Sequence, residues 1–181
     1  INSKFIHSNL AVRYLKAFTE DMDYTCKIRE FSINDRDEKV LEEIIKEKPD
    51  VVAFSTYIWN IEMVTRLSNL IKIVDKNIEI LYGGPEVSYD SFNILKELNG
   101  DYIIQGEGEK TYREFIEYKL GRREIENIRG LYFKKDNTVI FNGNRPLMNM
   151  DEIVFPYRED EDLNNKIVYY EASRGCPFNC K

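Results

Sequence analysis

Two cysteines near the end of the sequence are the residues with the clearest chemical potential. Cys176 and Cys180 are separated by three residues, which is wider than the Cys-x-x-Cys spacing of zinc fingers and thioredoxin-type sites. The apolar run at 167–170 predicts a strand that leads into a cysteine-bearing loop. Two thiolates on such a loop can bind a thiophilic metal. We therefore predict Cys176 and Cys180 as metal ligands of a site that needs further ligands.

The segments before these cysteines alternate between short apolar runs and amphipathic stretches, which is typical of β/α units around a parallel sheet. The apolar runs predict strands at 25–33, 51–55, 78–82 and 101–105. The amphipathic stretches predict helices at 10–18, 37–48, 61–74, 91–98 and 112–120. We expect Ser8 or Asn9 to cap the first helix and Gly121 to end the last.

A different pattern follows the last helix. Residues 128–134 and 138–142 flank a polar turn and predict a β-hairpin, after which an irregular, partly acidic linker extends to about residue 165. The predicted fold class is therefore α/β: a flavodoxin-like, doubly wound parallel sheet in three α/β/α layers, with a small hairpin and linker extension.

A flavodoxin-like sheet also needs a strand before its first helix, whereas this sequence opens at Ile1-Asn2-Ser3. We expect the natural protein to begin a few residues earlier with that central strand. Alternatively, the apolar segment 166–172 pairs into the vacant position. A structure that places this segment outside any strand contradicts the second hypothesis.

The composition is that of a folded, acidic protein. Hydrophobic residues make up 43% of the 181, with ten Phe and twelve Tyr, which is enough for a sizeable core. The net charge of −6 argues against nonspecific nucleic-acid binding. No apolar run reaches membrane-spanning length and no signal peptide is visible, so we expect a cytoplasmic protein without membrane insertion. The third cysteine, Cys26, stands apart, which fits a reducing compartment.

In open α/β sheets, ligands bind beyond the carboxyl ends of the strands. Four loops are expected there. The loop at 3–9 contains the only histidine, and the loop at 55–60 carries hydroxyls, an amide and two aromatic rings. The loop at 83–86 contains paired glycines, and the loop at 106–109 lies at a helix N-terminus, where free backbone N–H groups favour acceptors. Neither phosphate-loop nor Gly-x-Gly-x-x-Gly spacing is present. Together these loops predict a large flat ligand lying over the strand ends.

The sequence Arg-Gly-Cys-Pro-Phe-Asn-Cys-Lys at 174–181 resembles the start of the Cys-x-x-x-Cys-x-x-Cys signature of radical S-adenosylmethionine enzymes. In that family three cysteines hold a 4Fe–4S cluster, and the remaining iron chelates S-adenosylmethionine. The resemblance implies that Cys176 and Cys180 are cluster ligands. The third cysteine would fall two residues beyond Lys181, so we expect an N-terminal fragment that is inactive alone.

The four loops, with the cysteine motif downstream, resemble the cobalamin-binding domain of class B radical S-adenosylmethionine enzymes. Ile6-His7-Ser8-Asn9-Leu10 further resembles the branch labelled anaerobic Mg-protoporphyrin IX monomethyl ester oxidative cyclase. The resemblance implies a cobalamin-binding domain at 1–124, a hairpin and linker at 125–165, and the start of a catalytic barrel at 166–181. The residues that it implies for cobalamin binding are His7, Asn9, Ser55, Thr56, Tyr57, Trp59, Asn60, Gly83, Gly84, Pro85, Glu86, Gly106, Glu107, Gly108 and Glu109.

One departure from the family concerns the cobalt ligand. The best-known cobalamin domains carry Asp-x-His-x-x-Gly, whereas His7 has Phe5 two residues before it and Leu10 three residues after it. We therefore expect His7 to be a hydrogen-bonded loop residue and cobalamin to be held without a histidine ligand to its cobalt. Tyr57 and Trp59 can be packing or cofactor contacts, and both alternatives stay open. For the glutamates of the 106–109 loop, helix capping and dipole complementarity are favoured over acid–base chemistry.

The function implied for the full-length protein is that of a cobalamin-dependent radical enzyme. It would cleave S-adenosylmethionine reductively and carry out methyl transfer or oxidative cyclisation on an unknown small molecule. One alternative is a degenerate cobalamin fold kept for docking or as a substrate lid, which cobalamin binding would discriminate. A radical methylthiotransferase is a second alternative, but such enzymes hold another cluster with three cysteines in this domain, where only Cys26 is available. The sequence does not indicate an oligomeric state.

Overall fold

The computed structural model describes residues 1–136, 138–158, 161 and 163–175. In this part of the chain, five strands form one sheet in sequential order. The strands β1 to β3 are parallel, β4 is antiparallel to β3, and β5 is antiparallel to β4. Their bounds are β1 Val51–Ser55, β2 Glu79–Gly83, β3 Tyr102–Ile104, β4 Leu131–Lys135 and β5 Thr138–Phe141. The α/β class is confirmed, and the predicted hairpin continues the same sheet.

Helices cover both faces of this sheet, as the near-continuous apolar strands predict. In β2, Ile80 and Tyr82 pack with the helices at 37–46, 61–74 and 91–97, whereas the intervening Leu81 packs with those at 10–18 and 109–119 on the opposite face. Successive residues of a strand point to opposite faces, which is why both clusters share this strand. The helices are α1 Leu10–Phe18, α2 Asp37–Lys46, α3 Ile61–Val74, α4 Pro85–Ser88, α5 Ser91–Glu97 and α6 Glu109–Lys119, with 3₁₀ turns at Ile125–Asn127 and Met150–Glu152.

The ends of the helices follow local chemistry. The Asn9 side chain accepts a hydrogen bond from the backbone N–H of Val12 at 3.2 Å, so Asn9 is the N-cap of α1. Gly121 follows α6 with φ +71°, the left-handed conformation in which helices commonly end. Both predicted caps are confirmed. The 14-residue α3 is the longest helix, and among the described residues no helix has the length and apolarity needed to cross a bilayer.

The predicted strand at 25–33 is wrong in its extent. Only Ser32 forms a bridge, with Asn2, through hydrogen bonds from Asn2 N to Phe31 O (2.7 Å) and from Ile33 N to Asn2 O (2.9 Å). A strand needs a neighbouring backbone along its whole length. Within the described chain, Asn2 is the residue that pairs with this segment, so the remainder of the segment belongs to no strand.

The predicted strand at 167–170 and the insertion of 166–172 into the sheet are also wrong. Ile167 forms an isolated parallel bridge with His7, and residues 168–172 belong to no strand. The backbone of Tyr169 is instead bonded to the Tyr157 hydroxyl, which accepts from Tyr169 N (3.1 Å) and donates to Tyr169 O (2.7 Å). A side chain therefore takes the place of a neighbouring strand at this point.

Candidate cofactor site at the carboxyl edge of the sheet

The edge of the sheet at which β1, β2 and β3 end, here called the carboxyl edge, carries the predicted loops. The 55–60 loop after β1 is braced by Asn60, which is fully buried. Its Oδ1 accepts from Tyr57 N at 2.8 Å, and its Nδ2 donates to Ser55 O at 2.9 Å and to Ile1 O at 2.8 Å. All three bonds are internal to the protein. Asn60 therefore fixes the backbone of this loop from its buried side.

Thr56 joins this loop to the glycine pair that follows β2. Its backbone N–H and its hydroxyl both donate to Gly83 O, each at 2.7 Å. Gly84 has φ +112°, and a Cβ at this position would lie 2.4 Å from Thr56 O. By contrast, nothing lies within 4 Å of a Cβ built on Gly83. The two glycines thus have different roles: Gly84 allows two loops to pack, and Gly83 leaves open space above the strand end.

An aromatic pair forms the outer side of the 55–60 loop. The Tyr57 and Trp59 rings are stacked, with centroids 4.5 Å apart and planes at 6°. Trp59 is 47% exposed, and Ile58 between them is 76% exposed. Exposed apolar groups that adjoin open space are typical of a ligand or docking surface. The rings pack on each other and still present apolar surface, so both sequence-based alternatives for them remain compatible with the structure.

The loop after β3 contains the next group of predicted residues. Gly106 has φ +74° and open space at its Cβ position, whereas a Cβ on Gly108 would lie 3.2 Å from a Leu15 side-chain carbon. Glu107 Oε2 accepts from Met148 N at 2.6 Å, so it anchors the linker and does not cap α6. Glu109 is the first residue of α6, is 5% exposed and pairs with Arg174 at 2.5 Å. Its place beside the free N–H groups complements the helix dipole, as expected.

Three further residues lie beside these glycines. Pro85 is exposed at the start of α4, and Glu86 is half-buried in the same short helix. Gln105, directly after β3, has a buried side-chain oxygen that accepts no hydrogen bond in the described chain. A buried acceptor of this kind is usually satisfied by a ligand or an ordered water molecule.

The 3–9 loop packs beside the 55–60 loop. Asn9, besides capping α1, donates from Nδ2 to Ser55 Oγ at 3.3 Å and so ties the two loops together. The Nδ1 atom of His7 lies 2.5 Å from the Tyr169 hydroxyl. The imidazole is thus held within the chain by a hydrogen bond.

A family model for the B12 binding domain matches residues 1–116, which include all four loops. The chain belongs to the B12 binding domain family. Its B12 binding domain contains the three parallel strands and the six helices up to the last turns of α6.

Curated relatives of this B12 binding domain chain are longer proteins. An uncharacterized methyltransferase of Pyrococcus horikoshii is 28% identical over 183 residues, which cover 94% of this chain and 39% of the relative. The cobalamin-dependent radical SAM methyltransferase TokK of Streptomyces tokunonensis is 30% identical over 74% of this chain and 21% of its own length. The anaerobic magnesium-protoporphyrin IX monomethyl ester cyclase of Synechocystis is 30% identical over 65% of this chain and 25% of its own. The chain therefore spans about two fifths or less of these relatives.

Solved structures share the fold of the B12 binding domain. The radical S-adenosylmethionine methyltransferase TsrM of Kitasatospora setae, with cobalamin and a [4Fe–4S] cluster bound, has a TM-score of 0.68 at 16% identity, over 87% of this chain and 30% of TsrM. The cobalamin-dependent radical enzyme OxsB, with aqua-cobalamin and S-adenosylmethionine bound, has a TM-score of 0.67 at 16% identity, over 83% of this chain and 21% of OxsB. At these identities the likeness establishes the fold.

Residues 163–175, here called the strap, lie against the loops of the B12 binding domain. Ile167 N donates to Ile6 O at 2.7 Å, and the Ser8 hydroxyl donates to Ile167 O at 2.8 Å. The Lys166 ammonium lies 3.7 Å from the centre of the Phe5 ring. Sequence reasoning missed the strap because an apolar run of this kind predicts a strand. The contacts link it to the loop that contains His7.

A second feature that the sequence did not indicate is the buried Arg13 of α1. Its guanidinium contacts Glu30 at 3.0 Å and Glu161 at 2.6 Å, and it also donates to Asn9 O at 3.1 Å. Burial acts to raise the pKa of Glu30, but hydrogen bonds from Arg13 and from Asn9 N outweigh it and hold that pKa below its ordinary value. The network fixes α1, the 25–33 segment and the linker in one arrangement.

The metal prediction lies outside the described residues, because Cys176 and Cys180 both fall there. Within the described ranges, no cluster of three or more His, Cys, Asp or Glu side chains could hold a metal ion.

An open cavity of about 510 Å³ is lined by Ala17, Phe18, Glu20, Asp21, Arg113 and Val154. None of these residues belongs to the four loops, so we place the candidate site at the loops and not at this cavity.

Proposed function

We propose that this chain is the cobalamin-binding region of a cobalamin-dependent radical S-adenosylmethionine enzyme of the methyltransferase class. The observation that carries this proposal is membership of the B12 binding domain family together with the open space left by Gly83 and Gly106 at the carboxyl edge. A radical enzyme is supported by the names of relatives and by the Cys-x-x-x-Cys spacing. A cyclase reaction rests on one distant relative, so methyl transfer is the better supported class.

The residues at the carboxyl edge fit a large flat cofactor. Gly83 and Gly106 face open space and carry no side chain to fill it, and the adjoining surface is apolar at Ile58 and Trp59. The unpartnered Gln105 oxygen is a hydrogen-bond acceptor, and the amide side chains around a corrin ring carry N–H donors. We propose that the 55–60, 83–86 and 106–109 loops hold the corrin and its nucleotide tail.

The chain's own residues then have distinct tasks. Asn60 and Thr56 hold the loop backbones in place, Gly83 and Gly106 leave room, and Trp59 excludes water from one side. When bound, cobalamin supplies a cobalt ion suited to methyl-group transfer. Cys176 and Cys180 would hold part of a 4Fe–4S cluster that supplies the electron for cleavage of S-adenosylmethionine.

A docking or lid module without cofactor is the alternative, and one observation favours it. His7, Glu107 and Glu109 are already bonded to Tyr169, Met148 and Arg174 within the chain. These three predicted contacts are thus engaged without a cofactor. The open space above Gly83 has no such internal partner among the described residues, and on that basis we favour the cofactor domain.

A titration of the 181-residue chain with hydroxocobalamin tests the proposal. Trp59 is the sole tryptophan of the sequence, so quenching of its fluorescence by the strongly absorbing corrin reports binding, and a pair of variants locates it. Ile58→Lys and Ile73→Lys form a matched pair, because the two isoleucines are 76% and 80% exposed and Ile73 lies near the end of α3.

We expect Ile58→Lys to weaken binding by about tenfold or more, the effect of losing one buried aliphatic contact, and Ile73→Lys to leave it unchanged. If the two variants bind hydroxocobalamin with equal affinity, the ligand binds away from Ile58 and the carboxyl edge. Absence of binding by all three proteins would favour the docking module.

A further inference from the structure

The Arg174 side chain joins the strap to two helices. It stands two positions before Cys176 in the sequence, and its side chain is 15% exposed. Its Nη2 lies 2.5 Å from Glu109 Oε1, and its Nε donates to Glu171 Oε2 at 2.8 Å. Its guanidinium carbon lies 5.3 Å from the centre of the Tyr14 ring of α1. Contacts with α1, α6 and the strap therefore meet at one guanidinium.

The partner of this guanidinium is a carboxylate with little access to water. The Glu109 side chain is 6% exposed and stands at the N-terminus of α6, where the helix dipole favours a negative charge. Burial acts to lower the pKa of Arg174, but hydrogen bonds to Glu109 and Glu171 outweigh it and raise that pKa above its ordinary value. Arg174 is therefore charged at every physiological pH. Removing one member of such a pair leaves the other as an uncompensated buried charge.

We propose that Arg174 is a positioning residue, which fixes the start of the cysteine motif against the Gly106–Gly108 loop through Glu109. The assignments of cobalamin to this loop and of a cluster to Cys176 rest on the proposed function, whereas the ion pair does not depend on them. Ordering of the strap and binding of a ligand at the carboxyl edge then become linked equilibria. The factor by which an ordered strap raises the affinity for the ligand is then the factor by which the bound ligand favours the ordered strap.

An arginine suits this task better than a lysine. The planar guanidinium presents donors in a fixed fork, so it bonds both Glu109 and Glu171 while its carbon lies over the Tyr14 ring. At the other end of the strap, Ile167 is bonded to the 3–9 loop. Loss of the guanidinium should therefore release the cysteine-side end of the strap and leave the Ile167 end attached.

Hydrogen–deuterium exchange of strap peptides from the whole 181-residue chain tests the proposal without any ligand. We compare Arg174→Gln, Glu109→Gln and the double variant, after thermal melts have shown that each is folded. Each single variant should speed exchange of the Tyr169 amide, which donates to the Tyr157 hydroxyl, by about tenfold, and the double variant should add little to Arg174→Gln, because both changes remove the pair between Arg174 and Glu109. Arg174→Lys should restore part of the protection.

The matched control is Lys110→Gln, which removes the more exposed ion pair between Lys110 and Glu152 one position along the same helix. It should leave strap exchange unchanged. Additive effects in the double variant, or an effect of Lys110→Gln equal to that of Arg174→Gln, would overturn the proposal. Full protection in Arg174→Lys would show that a single charge suffices, which contradicts the role given to the guanidinium fork.

A hydroxocobalamin titration of the same variants separates this proposal from the proposed function. Bound hydroxocobalamin should slow strap exchange in the parent chain, and Arg174→Gln should lower the affinity while Lys110→Gln does not. If the parent chain binds and Arg174→Gln binds equally well, the linkage is refuted and the cofactor domain stands. If the parent chain does not bind, the proposed function fails, and the ligand-free exchange cycle still decides whether Arg174 positions the strap.

Discussion

Replacement of Gly84 by alanine tests the packing of the two central loops. The added Cβ would lie 2.4 Å from Thr56 O and 2.9 Å from Thr56 N, and both atoms belong to backbone that is bonded to Gly83. The residue also has φ +112°, a conformation that side chains with a Cβ rarely adopt. The loop after β1 must therefore shift, or Gly84 must change its backbone conformation. Either change breaks the contact between the loops.

The loss of stability follows from the unfavourable backbone conformation and from the close contacts with Thr56. A residue forced into a sparsely populated backbone region costs about 1–3 kcal/mol. Overpacking against atoms that cannot yield costs about 1–3 kcal/mol more. Alanine gains about 0.4–1 kcal/mol by restricting the unfolded chain. We expect Gly84→Ala to lower the free energy of unfolding by roughly 1–5.5 kcal/mol.

The neighbouring Gly83 supplies the control. Gly83→Ala gives the same gain in the unfolded chain, but its Cβ meets nothing within 4 Å. Its free energy of unfolding should be unchanged or up to about 1 kcal/mol higher. Urea unfolding followed by circular dichroism measures both variants, provided that their m-values agree. Equal stability of Gly84→Ala and Gly83→Ala would refute the assigned role of Gly84. Hydroxocobalamin affinity should fall in Gly83→Ala, since its methyl group occupies the proposed ligand space.

Three further outcomes are expected. Asn60→Ala leaves buried backbone groups of the 55–60 loop without partners and should lower the free energy of unfolding by about 2–4 kcal/mol, measured in urea. Hydrogen bonds from Lys27 and Arg29 lower the pKa of Glu47 to about 2, so its contribution to stability is present above pH 4.5 and is lost as the pH falls towards 2; thermal melts of Glu47→Gln should lack this dependence. Tyr82→Phe removes the 2.7 Å bond to Ser68 and should cost about 1 kcal/mol. Burial raises the pKa of Tyr82 to about 12, so an alkaline absorbance titration of this variant should lose one late-titrating tyrosine.

The elements with a regular pattern could be predicted closely. The stripe of Met63, Leu67 and Leu70 predicts a helix at 61–74, and α3 has these bounds. The extent of the predicted strand at 25–33 could not be judged from its pattern, because apolar alternation does not reveal whether a neighbouring backbone is present. The strand predicted at 167–170 was wrong for a related reason. Its backbone is bonded to a tyrosine hydroxyl from another segment.

That the loops after β1, β2 and β3 lie together was predictable, whereas the tasks of their polar side chains were not. Parallel strands end at one edge, so these three loops could be placed together from their order alone. Whether Asn60 points inward to brace a loop or outward to a ligand depends on tertiary contacts. Likewise, Arg13 is bonded to residues 17 and 148 positions away. No local pattern relates these positions, and a charged residue on an amphipathic helix is ordinarily expected at the surface.

The antiparallel hairpin determines where the rest of the chain can go. β4 runs back down the sheet and β5 runs up again, so Phe141 ends level with Tyr132, at the carboxyl edge. A single added strand would have delivered the chain to the opposite edge, roughly 16 Å away for a five-residue strand. With two strands, the linker that follows emerges beside the 83–86 and 106–109 loops. The hairpin thus returns the chain to the carboxyl edge, where Met148 of the linker is bonded to Glu107.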